Sequence, residues 1–168
     1  AGLEKLGLSA DDTVEVLSYA QSNAPLGQVR DYTRLDNSQR AIDEAYADTG
    51  LGVSDMGVAE VHDCFAVTEV LMSEALGLAK FGEGRHLARE GRTGLDGDLP
   101  INTGGGLLAY GHPVGATGIK QVFEVVKQMR GEAGDYQIGT QPRYGITVNM
   151  GGDDRTSVVT VLANPGAS

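Results

Sequence analysis

The sequence predicts an α/β fold in which strands feed into helices, and three observations point there. A short β-like run, Val58-Ala59-Glu60-Val61, feeds almost directly into a helical pattern with Val67, Val70, Leu71 and Ala75 at spacings of three and four, closed by Gly77. A second helix runs to Arg130 and is followed by two more β-like runs, residues 145–149 and 157–162. The 168 residues are 40% apolar and 21% charged, which suits one soluble domain with a sizeable core. The 25 glycines sit in short clusters between apolar segments, so the composition argues against disorder and excludes a collagen-like repeat.

From the start of the chain, residues 1–8 read as the tail of a helix closed by Gly7, as expected of a chain that begins in mid-domain. Residues 13–20 alternate between apolar and polar side chains and are bounded by Asp11-Asp12 and Ser22-Asn23-Ala24-Pro25, which predicts a strand; 21–36 read as a loop. A helix beginning at Asn37 or Ser38 places Ala41, Ile42 and Ala45 on one face and stops at Gly50. Residues 77–100, rich in Gly, Arg and Asp, form an excursion that could cover a site. In the helix that ends at Arg130, Ile119, Val122, Phe123, Val126 and Met129 make an apolar stripe, with Lys127 and Arg130 at the negative end of the dipole and Gly131 as the stop. Residues 150–156 link the last two strands, and 164–168 read as a frayed tail.

Charge removes several functions. Lys and Arg number 13 against 23 Asp and Glu, a formal net charge of −10, and no basic run exists to neutralise phosphates, so nucleic acid and anionic membrane surfaces are disfavoured partners. Cys64 is the one cysteine, which excludes an intrachain disulfide and a Cys-rich zinc site. No apolar run reaches the ~18–20 residues of a membrane span, and the expectation is a soluble, cytoplasmic protein.

Reactive groups meet glycine-lined backbone in three segments: His62-Asp63-Cys64, Gly111-His112-Pro113 and Asn149-Met150-Gly151-Gly152. A lone Cys64 reads as a small buried hydrophobe, but beside His62 at the carboxyl end of a strand a thiol can also exchange protons. His112 is held on a rigid Gly-Pro turn and reads equally as structural or catalytic. Asp63 points away from its neighbours if the strand continues, a structural placement. Gly152-Asp153-Asp154 is similar to a polymerase metal turn, but this chain lacks the length, the upstream aspartate and the basic channel for it. Neither a Gly-Lys-Ser/Thr loop nor Gly-x-Gly-x-x-Gly occurs, and no metal or cofactor is expected.

In order along the chain, Glu60-Val61-His62-Asp63-Cys64-Phe65, Asn102-x-x-Gly105-Gly106, Gly111-His112-Pro113-Val114-Gly115-Ala116-Thr117-Gly118 and Gly151-Gly152 before the last strand resemble the thiolase superfamily, most closely its sterol-carrier-protein-2 type. The resemblance spans about residues 40–163. It implies a thiolase-like layered α/β fold, a mixed sheet flanked by helices, of which residues 37–168 would be the C-terminal domain and 1–36 the end of the N-terminal half with its linker. Helix faces such as Val67/Val70/Leu71 or Ile119/Val122/Phe123 would then lack their covering layer.

The resemblance also implies an acyltransferase of lipid metabolism acting on acyl-CoA by Claisen condensation or thiolysis, as a dimer or paired with the N-terminal half that carries the nucleophilic cysteine. Coenzyme A would enter as substrate. His112 would take the proton from that thiol, Cys64 would be the acid/base for the α-proton, and His62 would hold a water or donate to the thioester oxygen. The N–H of Gly151 would serve the second oxyanion hole. Asn149 stands where most thiolases carry the acid/base cysteine, which agrees with that duty having moved to Cys64. The charged run Asp153-Asp154-Arg155-Thr156 departs from the family pattern and bears on the geometry of the last turn. A thiolase-like aldolase or a non-catalytic acyl-CoA-binding partner is the alternative.

Overall fold

Four strands, β1 (Glu15–Asn23), β2 (Val58–Val61), β3 (Tyr144–Gly151) and β4 (Thr156–Ala163), form one sheet in the order β1-β4-β3-β2. The computed structural model describes residues 2–27 and 30–167. β2 runs parallel to β3, while β3 with β4 and β4 with β1 are antiparallel, so the sheet is mixed as expected. The helices are α1 (Gly2–Leu6), α2 (Asp36–Thr49), α3 (Ala66–Ala75), α4 (Gly84–Arg89), α5 (Gly106–Tyr110) and α6 (Thr117–Arg130).

Side chains alternate across a strand, and this divides the core in two. Ala59, Val61, Ile146, Val148, Val159 and Val161 join Ile42, Ala45, Met72 and Leu76 from α2 and the end of α3. Val58 and Leu162 point the other way and join Val125 and Met129 of α6. Helices thus cover both faces, and the α6 face also receives Glu60, two residues along from Val58.

Several expectations shift. β1 extends to Asn23, pairing Gln21, Ser22 and Asn23 with β4, so part of the expected loop is sheet. β3 and β4 absorb residues 150, 151 and 156 of the expected link and leave a tight turn in which Gly152, Asp153 and Asp154 are all left-handed, at φ 58°, 59° and 60°; aspartate tolerates that region better than most side chains. Asn164 is not frayed: it is buried, its N–H donates to the Arg143 carbonyl at 2.8 Å and its Nδ2 to the Met129 carbonyl at 2.7 Å. The excursion at 77–100 carries α4, which packs on α3, and it buries Leu87 and Leu99. What it covers is the outer edge of β2, where Ala59 N–H donates to Pro100 at 2.9 Å and Asn102 N–H to Ala59 at 3.0 Å, closing an otherwise open strand.

The apolar stripes of α3 and α6 are only partly buried: Ala75 and Met129 lie in the core and Val122 and Val126 pack against it, while the buried faces are centred elsewhere. α3 buries Thr68, Met72, Ser73 and Ala75 and leaves Val67 61% exposed. α6 buries Gln121, Glu124, Val125, Gln128 and Met129 while Ile119 and Phe123 stand 76% and 55% exposed. Among the described residues no helix is long and apolar enough to cross a membrane.

Candidate active site

The parallel pairing of β2 with β3 brings the carboxyl ends of both strands to one place. The His62 N–H continues the ladder to the Val148 carbonyl at 2.9 Å, and its ring meets the next residue of β3, with Nδ1 2.7 Å from Asn149 Oδ1. An amide oxygen only accepts, so Nδ1 carries the hydrogen and Nε2 of the neutral ring is bare. Burial lowers the pKa of His62; the bond to Asn149 and the nearby Asp63 oppose this, while the neighbouring His112 reinforces it. The buried ring is therefore neutral near pH 7.

His112 arrives from the other side, on the turn between α5 and α6. Gly111 ends α5 with φ 87°, a conformation that favours glycine. His112 Nδ1 lies 2.6 Å from Thr117 Oγ1, whose hydroxyl donates to the Pro113 carbonyl at 3.2 Å. With its own hydrogen so committed, Oγ1 accepts from Nδ1 and leaves Nε2 of His112 as the basic nitrogen. The two imidazoles, distant in sequence, meet edge to face with centroids 4.8 Å apart and planes at 89°. His62 is buried and His112 exposed, so the pair spans from the interior to the surface.

Cys64 is half-buried, on the turn between β2 and α3. Among the described residues its thiol forms no hydrogen bond with either imidazole. Asp63 is buried and structural: its Oδ1 accepts the Leu107 N–H at 2.7 Å, and a Cβ on Gly106 would run into its carboxylate. Asn102 does similar work, its Oδ1 accepting the Val61 N–H at 2.8 Å and its Nδ2 donating to Glu69 Oε2 at 3.1 Å. Gly151 is exposed at the end of β3, two residues beyond Asn149.

Sequence reasoning did not anticipate the parts played by Asn149 and Thr117. Thr117 has a signal, since a hydroxyl on the first residue of a helix just after a Gly-His-Pro turn can reach back to that turn. For Asn149 the sequence marks the position, before Gly151-Gly152, but not the contact with His62, which only strand register creates. Gly118 supports this contact: Asn149 Nδ2 sits 2.9 Å from where a Cβ on Gly118 would be.

Residues 18–164 match the thiolase C-terminal domain-like family. The acetyl-CoA acetyltransferase of Methanothermobacter thermautotrophicus is 41% identical over 150 residues, which are 89% of this chain and 39% of that protein. A solved structure described as an Ltp2-ChsH2(DUF35) aldolase superposes with a TM-score of 0.75 at 26% identity, covering 89% of this chain and 39% of that one. A monomeric SCP2-thiolase like protein type 1 from Mycobacterium smegmatis superposes at 0.71 with 21% identity, covering 99% of this chain and 32% of that one, a likeness of fold. The chain therefore spans about two-fifths or less of the length of these relatives.

Proposed function

The chain belongs to the thiolase family through a C-terminal thiolase domain, and on that premise we propose that it supplies part of the active site of an acyl-CoA thiolase. The nucleophilic cysteine would come from the N-terminal half that pairs with it. In thiolysis that thiolate attacks the β-carbonyl of a 3-ketoacyl-CoA, and the resulting alkoxide collapses with cleavage of the Cα–Cβ bond. The acyl group stays on sulfur. The electron pair leaves on Cα as the acetyl-CoA enolate, which takes a proton from Cys64. The CoA thiol then displaces the acyl group, and condensation is the same path reversed.

His112 Nε2 takes the proton of the nucleophilic thiol and returns it when the acyl group leaves that sulfur, and the Cys64 thiolate recovers its proton from the attacking CoA thiol. With Nε2 bare, neutral His62 serves the thioester oxygen through a water that donates one hydrogen to the ring and one to the developing oxyanion. The Gly151 N–H assists the second oxyanion, a donor of the kind worth about 3 kcal/mol. The observation that carries this reading is the contact of His62 with His112, with Cys64 on the same strand-end turn. Its test is Cys64→Ser in the full-length protein that contains this chain. The acyl-enzyme should form normally from acetyl-CoA, while α-proton exchange of acetyl-CoA in deuterated water falls about 10²–10⁴-fold; unchanged exchange refutes the role.

The likeness to the aldolase structure favours one second reading, carbon–carbon cleavage without an acyl-enzyme. Labelled acetyl-CoA distinguishes the two. Covalent label on the protein supports thiolase, and its absence, with a carbonyl product released from a β-hydroxyacyl-CoA, supports aldolase.

A further inference from the structure

Glu60 is fully buried beneath α6, two residues before His62, and has no part in the chemistry above. Its Oε2 accepts the hydroxyl of Tyr110 at 3.3 Å, and its Oε1 has no hydrogen-bond partner. Tyr110 is the last residue of α5, two before His112. The Glu60–Tyr110 bond therefore joins the strand that carries His62 to the arm that carries His112. Behind it Lys120 of α6 lies over the Tyr110 ring at 4.3 Å and pairs with the buried Glu124, which also accepts from the Tyr136 hydroxyl at 2.9 Å.

We propose that Glu60 and Tyr110 are a positioning brace that holds the His112 arm against the end of β2 and sets the ring contact between His62 and His112. The proposal rests on the reading of those two histidines as working groups. Glu60 serves as a neutral carboxylic acid. The groups facing it are Tyr110 from α5, Glu124 and Lys120 from α6, and Asp63 from the end of its own strand. Burial and then Glu124 push its pKa up to about 8, with Asp63 adding to this and the Tyr110 bond and Lys120 opposing it.

The linkage has a definite sign. Unfolded, a glutamate ionises near 4.5, whereas here it holds its proton to about 8. Its contribution to stability is full below pH 4.5 and is lost as pH rises through 8. An ionised Glu60 accepts a stronger bond from Tyr110 and is drawn to Lys120, but its burial and the repulsion of Glu124 and Asp63 outweigh both, so the brace loosens on the alkaline side.

The test pairs two readouts. On this chain, carbon NMR of labelled glutamate should show one carboxyl titrating near pH 8, absent in Glu60→Gln, and the proton contact between the His62 and His112 rings should fade over the same range. Tyr110→Phe should weaken that contact at pH 7. In the full-length protein, Tyr110→Phe should lower thiolytic kcat about 10- to 100-fold with little change in KM, the scale expected of misplaced reacting groups. Glu60→Gln, which keeps a neutral acceptor for Tyr110, should retain most activity at pH 7 and lose the alkaline decline, whereas Glu60→Ala should not be rescued at any pH.

A carboxyl titrating only near 4.5, or a Tyr110→Phe variant with an unchanged ring contact, overturns the brace. Should Glu60→Ala not fold, Tyr110→Phe, which removes a single oxygen, decides alone. The ring contact is read without turnover, so it stays informative if the protein proves to have no thiolase activity. Its loss with thiolysis intact overturns the brace and leaves the thiolase reading standing.

Discussion

α2 and α6 each cover one face of the same sheet with fourteen residues, yet they do it with opposite chemistry. α2 buries the side chains its pattern predicts, Ala41, Ile42 and Ala45, and its buried start is satisfied from a distance. The carboxylate of Asp154, in the β3–β4 turn, accepts the N–H groups of Asn37 and Ser38 at 3.0 and 2.9 Å, the Ser38 hydroxyl at 2.6 Å and an Arg30 N–H at 3.1 Å. That is a helix N-cap supplied in trans. α6 instead buries Gln121, Glu124 and Gln128 and turns Ile119 and Phe123 outward. Gln128 alone bonds Thr103 at 2.9 Å, the Tyr136 carbonyl at 2.8 Å and the Ile138 N–H at 3.0 Å. A helix that only closes a core can be read by its apolar stripe. One that also ties loops to the sheet is read by the polar groups it buries and the partners they find.

The contrast can be broken most forcefully at Asp154. Asp154→Ala strands two backbone donors and a cation that is only 10% exposed, so urea unfolding should show a loss of about 3–5 kcal/mol. A loss under 1 kcal/mol would mean that α2 needs no such cap.

A matched pair of truncations sharpens it next. Ile42→Ala on α2 should cost about 2–5 kcal/mol, since it removes a fully buried side chain from the larger core. Ile119→Ala on α6 should change stability by less than about 0.5 kcal/mol. Equal costs would show that the Ile119 side of α6 is covered in solution.

The smallest effect concerns pH. With the His62 pKa lowered by burial, the unfolded chain binds a proton more readily than the folded one below the ordinary 6.5. Stability should therefore be complete above 6.5 and decline on acidification through the lowered folded value. His62→Asn should flatten that decline, as read by thermal unfolding from pH 7 down to about 5. Gly118→Ala, by crowding the Asn149 amide, should alter the decline without removing it.

Local pattern was enough to determine much of this molecule. Alternation and period-3.6 spacing located β2, α2, α3 and α6, glycines marked the helix ends at 50, 77 and 131, and the order of motifs identified the family. Those features are written in neighbouring residues, so neighbouring residues report them. The pairing of His62 with Asn149 and His112, the satisfaction of α2 by Asp154, the hydrogen bond between Tyr110 and Glu60 and the burial of Gln121, Glu124 and Gln128 on α6 were decided only by tertiary structure. Each depends on strand register and on groups distant in the chain. Whether a polar side chain can be buried is a question about its partners, and a sequence pattern does not name them.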